Sequence, residues 1–212
     1  MSILHEISQN LQQGRAKAVK ELVEKAVEEG IDAKTILEQG LLDGMSIIGE
    51  KFKNDEVYVP QVLIAARAMK AGTELLQPLL ASSGVKAKGK VVLGTVKGDL
   101  HDIGKNLVRM MMEGKGLEVI DMGVDVTADK FVEKAVESGA DIVACSALLT
   151  TTMPEIKSVV DEIVNAGIRD KVTIMIGGAP VTDSFCKQIG ADIYTPDAAT
   201  AAEEAVKVCS AQ

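Results

Sequence analysis

Histidine, cysteine and aromatic residues are scarce in this chain, and tryptophan is absent. Two histidines, three cysteines and an aromatic share of 2% are spread over 212 residues. So few aromatic rings disfavour the surfaces on which nucleic-acid-binding proteins stack bases. Cys145, Cys186 and Cys209 form no CxxC pair, and their odd number argues against a disulfide framework. The sequence therefore predicts neither a base-stacking protein nor a disulfide-built secreted domain.

Clusters of positive charge and long apolar runs are also missing. The formal net charge is −8 and no Lys/Arg cluster occurs, which argues against a nucleic-acid groove. No apolar stretch approaches the roughly 20 residues that span a bilayer. The first residues, MSILHEISQN, do not resemble a secretory signal. We therefore expect a cytoplasmic protein with no nucleic acid and no membrane among its partners, and its 47% apolar content is enough for a sizeable core.

The first 80 or so residues have the periodicity of helices. In RAKAVKELVEKAVEEG the apolar residues form one stripe, and Gly30 ends the pattern. Asp32 is predicted to cap a helix over AKTILEQG. A turn near Asp55 then separates the next helix from one that begins near Pro60. Four or five such helices predict a small helical bundle over residues 1–85.

The pattern changes after residues 81–89, ASSGVKAKG, whose small and polar residues indicate a linker. Short apolar runs then alternate with helical patterns, as in a parallel sheet covered by helices on both faces. The predicted strands cover 91–96, 118–123, 141–148, 172–178 and 192–195. The predicted helices cover 103–115, 128–138, 153–166, 182–189 and 198–210, with Thr127 and Thr182 as N-caps. We therefore predict a doubly wound, five-stranded, Rossmann-like α/β domain over residues 86–212.

Three segments follow the predicted strands at their carboxyl ends, where open α/β sheets bind ligands. They are GDLHDIG after the first strand, SALLTTTMP after the third and GGAP after the fourth. Taken singly, each segment is equally an ordinary turn or helix cap. The first is the most informative, because it places His101 between the carboxylates of Asp99 and Asp102.

Familiar sites each fail on a specific residue. A Walker A loop needs GxxxxGK[ST], but Asn106 replaces its hydroxyl and the glycine spacing is one residue too long; a GxGxxG turn is absent. A catalytic zinc ion needs three protein ligands, and the only other histidine, His5, lies in the helical half. Cys145 could pair with His101 as a nucleophile, although its mid-strand position favours a buried thiol. The metal of a tetrapyrrole, in contrast, needs a single protein ligand.

The three segments together carry a recognisable pattern. DLHDIG at 99–104, SAL at 146–148 and GG at 177–178 occur in order, with gaps of 41 and 28 residues. This pattern resembles the cobalamin-binding signature DxHxxG…SxL…GG. The helical half, with DGMSIIGEKF and YVPQVLIAARAMK, is similar to the cap domain of methionine synthase and of the corrinoid proteins that serve anaerobic methyltransferases.

The resemblance implies cobalamin or a related corrinoid as the cofactor, with its nucleotide base detached from cobalt. His101 would be the axial cobalt ligand through Nε2, and Asp99 would accept a hydrogen bond from the other ring nitrogen. Thr152, where the family has a serine, would extend this relay. The other residues that the resemblance implies at the cofactor or its nucleotide tail are Gly98, Leu100, Asp102, Ile103, Gly104, Ser146, Leu148, Thr150, Gly177, Gly178 and Ala198.

The helical half would act as a lid over the corrin, with the 81–89 linker as its hinge. Phe52 and Val59 match family positions that press on the upper face of the corrin. Met45, Val62 and Met69 would add to that surface. The alternative is that Met45 and Phe52, which share a helix face with Ile48, belong to the ordinary bundle core, and the same alternative applies to Met69.

The function implied is that of a corrinoid carrier subunit rather than a complete enzyme. Its cobalamin would take a methyl group from a substrate-specific methyltransferase and hand it to a second, corrinoid:acceptor methyltransferase. A reductive activase is a further expected partner. Three alternatives remain: a B12-dependent mutase subunit, which would not need the helical half; a cobalamin-sensing regulator, which would need an added DNA-binding module; and a plain interaction scaffold, which would bind no cofactor.

Overall fold

A computed structural model describes residues 2–82 and 86–211, which form two compact units. The first lies within Met1–Ala87 and includes Gly114–Gly116, and the second comprises Lys88–Glu113 and Leu117–Gln212. The predicted linker at 81–89 lies in part outside the described residues, because 83–85 are not described. No helix in the described part of the chain is both long and apolar enough to cross a membrane.

The first unit is helical. Its helices are α1 (Ile3–Gln12), α2 (Ala16–Glu28), α3 (Ala33–Thr35), α4 (Asp43–Lys53) and α5 (Val59–Ser82), with a π-helical segment, Ile36–Leu42, that joins α3 to α4. Asp32 caps α3 as predicted, because its Oδ1 accepts a hydrogen bond from the Thr35 amide at 2.9 Å. Pro60 stands at the second position of α5, where the sequence analysis expects a helix to begin.

The helix that begins at Ala33 differs from the predicted one over AKTILEQG. It passes Gly40 without a break and continues to Lys53. Gly40 is buried, and a Cβ atom at this position would lie 3.1 Å from Cγ2 of Ile7 on α1. The glycine therefore allows close packing between two helices and does not end one.

The second unit is a parallel sheet between helices, and the predicted fold class is confirmed. Its strands are β1 (Lys90–Thr95), β2 (Glu118–Asp121), β3 (Ile142–Ser146), β4 (Thr173–Gly177) and β5 (Ile193–Tyr194). They lie in the order β2-β1-β3-β4-β5, and every neighbouring pair is parallel. Its helices are α6 (Ile103–Gly114), α7 (Ala128–Ser138), α8 (Met153–Asn165), α9 (Asp183–Ile189) and α10 (Ala198–Ser210).

Several predicted element ends are wrong by a few residues. The predicted strand over 141–148 ends at Ser146, and the one over 118–123 ends at Asp121 because Gly123 has a φ of 80° and leaves the extended conformation. Thr182 caps α9 as predicted, accepting a hydrogen bond from the Phe185 amide at 3.2 Å. Thr127 stands at the N-cap position of α7, but its side chain makes no capping bond.

The strand order decides where a ligand can enter the sheet. From β1 the chain crosses to β2 on one side, and from β3 it crosses to β4 on the other, so the loops after β1 and β3 diverge. Such a divergence creates a crevice outside the carboxyl ends of the strands. Thr95, Ser146 and Gly177 are paired across β1, β3 and β4. The three signature segments therefore begin at the same edge of the sheet.

The centre of the sheet is a packed apolar core. Val92, Val143 and Ile174, on three adjacent strands, are completely buried, as is the ring of Phe131 on α7. Burial on this scale stabilises by about 25 cal/mol for each Å² of apolar surface removed from water. It holds the strand ends, and thus the loops that follow them, on a rigid base.

Candidate functional site

The carboxylate of Asp99 is the centre of a hydrogen-bond network at the carboxyl edge of the sheet. Its Oδ1 accepts hydrogen bonds from Nδ1 of the His101 ring at 2.7 Å and from the His101 amide at 3.1 Å. Its Oδ2 accepts from the amides of Leu148 and Leu149, at 2.7 and 3.2 Å, and from the Thr152 hydroxyl at 2.7 Å. Asp99 is fully buried and joins the loop after β1 to the loop after β3.

These donors keep Asp99 ionised in spite of its burial. Burial raises the pKa of a carboxyl group, but the hydrogen bonds from Leu148, Thr152 and His101 outweigh it and hold the pKa of Asp99 far below its usual value. An ionised carboxylate only accepts hydrogen bonds, so Nδ1 of His101 carries the hydrogen in their contact. In the neutral ring the lone pair is then on Nε2, an atom through which imidazole binds metals. The structure thus brings together the three residues of the predicted relay.

Exposed apolar side chains flank His101. The His101 side chain is 50% exposed, and its neighbours Leu100 and Ile103 are 72% and 77% exposed. Leu148 and Leu149, whose amides bind Asp99, are also exposed. Contiguous patches of exposed apolar residues commonly mark sites that bind a ligand or a partner. The surface suits a broad, largely apolar ligand that contains one atom to which the imidazole nitrogen can bind.

Gly104, the second residue of α6, has open space where a side chain would begin. A Cβ atom at this position would meet no other atom within 4 Å. Packing inside the protein therefore does not explain the glycine, and glycine within a helix costs about 0.5–1 kcal/mol relative to alanine. Close approach of a ligand would explain it.

Gly178, in contrast, is required by the fold itself. It has a φ of 128°, and a Cβ atom there would lie 1.8 Å from the carbonyl oxygen of Ala147. A Cβ atom at Gly177 would have only one neighbour within 4 Å, the carbonyl oxygen of Thr195 at 3.6 Å. Of the two glycines in the predicted slot, only Gly177 has space that a side chain could fill.

The other predicted site residues lie at or just beyond strand ends. One of them, Asp102, makes a different contact from the one expected. Ser146 is half-buried at the end of β3, Thr150 is exposed in the following loop, and Ala198 is the buried first residue of α10. Asp102 does not share in binding the imidazole: its Oδ2 accepts from Nδ2 of Asn106 at 2.9 Å. The expectation that two carboxylates flank the histidine thus holds for Asp99 alone.

Two residues that the sequence analysis missed brace the His101 loop. The Thr95 hydroxyl donates to the carbonyl oxygen of His101 at 2.8 Å, and Thr95 is completely buried. Asp125, in the loop after β2, accepts from the Gly98 amide at 2.7 Å. Both stand at carboxyl ends of strands, so the rule that led to Asp99 could have found them had it been applied to every strand.

A partly buried ion pair joins α6 to β2. Nζ of Lys105 lies 2.5 Å from Oδ1 of Asp121, and NH1 of Arg109 lies 3.1 Å from Oδ2 of the same carboxylate. Burial raises the pKa of Asp121, but the hydrogen bonds from Lys105 and the Gly123 amide and the charges of Lys105 and Arg109 lower it overall. The pair holds the first turn of α6, which carries Ile103 and Gly104, against the sheet.

The remaining candidates are placed as follows. Phe52 and Val59 are half-buried at the end of α4 and the start of α5, while Met45 and Val62 are buried in the helical unit. Met69 is buried as well. The Cys145 thiol is buried within β3, where burial raises its pKa to about 12, so it is not a nucleophile at neutral pH. In the described residues, His, Cys, Asp and Glu form no group of three that could hold a metal ion.

Comparison with protein families identifies the class. A family described as "B12 binding domain" matches residues 89–206, and a second family with the same description matches residues 3–77. The first match covers more than half of the chain. The chain therefore belongs to the B12-binding proteins, and the matched region contains Asp99, His101 and Gly104.

Individual relatives narrow the class. The chain is 41% identical over 211 residues to a corrinoid protein of Desulfitobacterium hafniense, covering 98% of each. It is 45% identical over 184 residues to trimethylamine corrinoid protein 2 of Methanosarcina acetivorans, covering 86% of this chain and 85% of the relative. The structure matches the methanol:cobalamin methyltransferase complex MtaBC of Methanosarcina barkeri with a TM-score of 0.89 and 30% identity, over 99% of this chain and 80% of that one.

The protein is thus a corrinoid protein of methyltransferase systems, and it binds cobalamin or a related corrinoid. The family and the cofactor predicted from the sequence are confirmed. The alternative of a scaffold without a cofactor is set aside by the same matches.

Proposed function

We propose that this protein is a methyl carrier that holds its corrinoid in the base-off state with His101 as the axial cobalt ligand. When bound, the cofactor supplies a cobalt centre that can take a methyl group from one methyltransferase and give it to another. The observation that supports this proposal is the contact between buried, ionised Asp99 and Nδ1 of His101, which leaves Nε2 free to bind a metal. A carrier of this kind is a subunit of a methyltransferase system and not an enzyme by itself.

The chain's own residues orient the imidazole of His101. Asp99 holds the imidazole ring in one tautomer, and Thr152 and the amides of Leu148 and Leu149 hold Asp99. With the ring held in this way, Nε2 would be the atom that binds the metal of a bound cofactor. Carboxylate partners of this kind fix the tautomer and the ring orientation of a metal-binding histidine.

The remaining cofactor contacts follow from exposure and space. We assign the surface beneath the corrin to Leu100, Ile103 and Leu148, which are exposed and apolar, and to the open space beside Gly104. Gly98 and Asp102 belong to the same loop. We assign the nucleotide tail to the other candidates, which stand at the ends of β3, β4 and β5: Ser146, Thr150, Gly177, Gly178 and Ala198.

For the helical unit we propose the role of a lid. Phe52 and Val59 are only half-buried and are the candidates for contact with the upper face of the corrin, whereas Met45 and Val62 are buried. The lid would have to move to admit a partner, and we place the domain boundary between residues 85 and 86.

The expected partners are a substrate-specific methyltransferase, a second corrinoid:acceptor methyltransferase and a reductive activase, all cytoplasmic. The names of the relatives support a methyltransferase partner, since they refer to trimethylamine and to a methanol:cobalamin methyltransferase. The partner enzyme selects the methyl donor. The test therefore includes methyltransferases for methylamines and for methanol.

The test compares His101→Ala with His5→Ala, which alters the only other histidine of the chain. Each protein is loaded with cob(II)alamin, and paramagnetic resonance spectra are recorded with natural and ¹⁵N-labelled histidine. We expect nitrogen splitting that changes with the label in wild type and His5→Ala and is lost in His101→Ala. Labelling the lower base of the cofactor instead should leave the wild-type spectrum unchanged. A splitting that follows the lower base would contradict base-off binding.

Methyl transfer is then measured with the same three proteins. Each is reduced and mixed with a trimethylamine, dimethylamine, monomethylamine or methanol methyltransferase and its substrate, and methylation of the bound corrinoid is followed by absorbance. We expect one class of methyltransferase to methylate wild type and His5→Ala far faster than free cobalamin. If no methyltransferase of the panel does so, the carrier role is wrong even if His101 binds cobalt.

A further inference from the structure

Asp125 joins the loop after β2 to the loop that carries His101. Its Oδ1 accepts a hydrogen bond from the Gly98 amide at 2.7 Å, and its own amide donates to the carbonyl oxygen of Asp99 at 3.0 Å. The two bonds run in opposite directions between one residue and two consecutive residues of the His101 loop. They therefore fix the position and the orientation of the Gly98–Asp99 backbone.

The backbone of Asp125 is held in an uncommon conformation. Its φ is 54°, and the only other described non-glycine residue with positive φ is Asp55. Left-handed backbone is unfavourable for residues with a Cβ atom, and among them Asp and Asn adopt it most readily. Glycine would avoid that cost but lacks a carboxylate. Aspartate at position 125 tolerates positive φ and also supplies an acceptor for the Gly98 amide.

The surrounding pairing places this residue at the His101 loop. After Gly123 the chain returns to β1, where Val126 donates to the Thr95 carbonyl at 3.0 Å and Val96 pairs with Val126. Residues 123–125 thus form a short protrusion between two points of pairing with β1. Asp125 is at its end, where it meets Gly98 and Asp99.

We propose that Asp125 is a positioning residue for His101, acting through the backbone of Gly98 and Asp99. The proposal rests on the proposed role of His101 as cobalt ligand. With Gly98–Asp99 fixed, the Asp99 carboxylate stays in reach of both the imidazole and the Thr152 hydroxyl. Without the Asp125 carboxylate, the Gly98 amide loses its acceptor and the loop gains freedom to move away from the β3 loop.

The test uses substitutions that separate the carboxylate from the backbone conformation. Asp125→Gly keeps a backbone that accepts positive φ, and keeps the amide that donates to Asp99, but it removes the acceptor. Asp125→Asn keeps both the acceptor oxygen and the tolerance of positive φ. Asp55→Gly makes the same change at the other left-handed aspartate and serves as the control.

The first readout is hydrogen exchange of the Gly98 amide in the protein without cofactor. We expect exchange to become about tenfold faster or more in Asp125→Gly, since a hydrogen bond to a charged acceptor is lost. Asp125→Asn and Asp55→Gly should remain within about threefold of wild type, because in both a side-chain acceptor for Gly98 is kept. Unchanged exchange in Asp125→Gly would overturn the proposal.

The second readout is the histidine nitrogen splitting of the cob(II)alamin-loaded protein at neutral pH and well below the melting temperature. We expect a reduced share of the histidine-bound form in Asp125→Gly and near wild-type behaviour in Asp125→Asn. A purely structural role would lower the melting temperature and leave this share unchanged, which would overturn the proposal. If wild type itself lacks the splitting, the proposed function fails, while the exchange of the Gly98 amide still decides whether Asp125 holds the loop.

Discussion

At the scale of single residues, Asp99 links the stability of the protein to its site. A buried carboxylate without partners would cost several kcal/mol, and here all five of its hydrogen-bond donors come from the two loops that form the crevice. The same bonds that make burial of the charge tolerable also set the orientation of the His101 ring. A change in any donor should therefore affect folding and cofactor ligation together.

Thr152 offers the clearest test of that link. Thr152→Val keeps the shape of the side chain but removes the hydroxyl that donates to Asp99 at 2.7 Å. We expect it to lower the free energy of unfolding of the cofactor-free protein by about 1.5–3 kcal/mol, the range for a hydrogen bond to a charged group. Denaturant unfolding measures the change. Thr152→Ser should recover most of the lost free energy of unfolding, because the hydroxyl is restored. If the valine and serine variants are equally stable, Thr152 does not support Asp99.

At the scale of secondary-structure elements, two glycines in the signature have different physical roles. Gly178 follows β4 and is forced by the carbonyl oxygen of Ala147, whereas Gly104 in α6 has open space around it. One glycine therefore serves the fold and the other leaves room for a ligand. The sequence signature contains a glycine at both positions and does not distinguish the two causes.

Alanine substitutions distinguish the role of Gly178 in the fold from the role of Gly104 at the ligand. Gly178→Ala should lower the free energy of unfolding by at least about 2 kcal/mol, since the backbone conformation is strained for alanine and the Cβ atom meets backbone. Gly104→Ala should leave the unfolding free energy unchanged or raise it by up to about 1 kcal/mol, yet weaken cobalamin uptake. Denaturant unfolding of the cofactor-free proteins and titration with cobalamin measure both. Full uptake by Gly104→Ala would show that the ligand does not approach this position.

At the scale of the whole molecule, the chain consists of two units with separate apolar cores. Buried residues of the helical unit include Ile7, Leu11, Val23 and Leu41, and those of the α/β unit include Val92, Val143, Ile156 and Ile174. The two B12-binding family matches fall on these two units. Each unit thus has buried apolar residues of its own, and the hydrogen bonds described around His101 all come from residues of the second unit.

A fragment of residues 86–212 should therefore fold and bind methylcobalamin. We expect its bound cofactor to lose the methyl group faster under light than the cofactor of the full chain, because the proposed lid is absent. Phe52→Ala in the full chain should show a smaller increase in the same direction. Photolysis followed by absorbance measures both rates, with Leu79→Ala, an exposed change on α5, as the control. Equal rates in all four proteins would contradict the lid.

Much of this protein follows from local patterns in its sequence. Helical periodicity before residue 80 and short apolar runs after residue 90 predict the two kinds of unit, because burial of one helix face or of a whole strand leaves its mark on neighbouring residues. The order of DLHDIG, SAL and GG predicts the class of cofactor in a different way, through its resemblance to the cobalamin-binding signature. The errors of one or two residues at strand ends also have a local cause, since an apolar loop residue such as Leu148 continues the pattern of the strand before it.

Only the tertiary structure decides which of these residues act together. The bond from Thr152 to Asp99 spans 53 positions, and the one from Gly98 to Asp125 spans 27, so both depend on the order of strands in the sheet. Asp102 shows the converse: it stands next to His101 in sequence, but the first turn of α6 directs its carboxylate to Asn106. Sequence alone determined the parts, because these are set by residue type and spacing, and its resemblance to the cobalamin-binding signature implied the class of ligand. The partners of each side chain were decided by the fold, because a hydrogen bond depends on distance in space and not on separation along the chain.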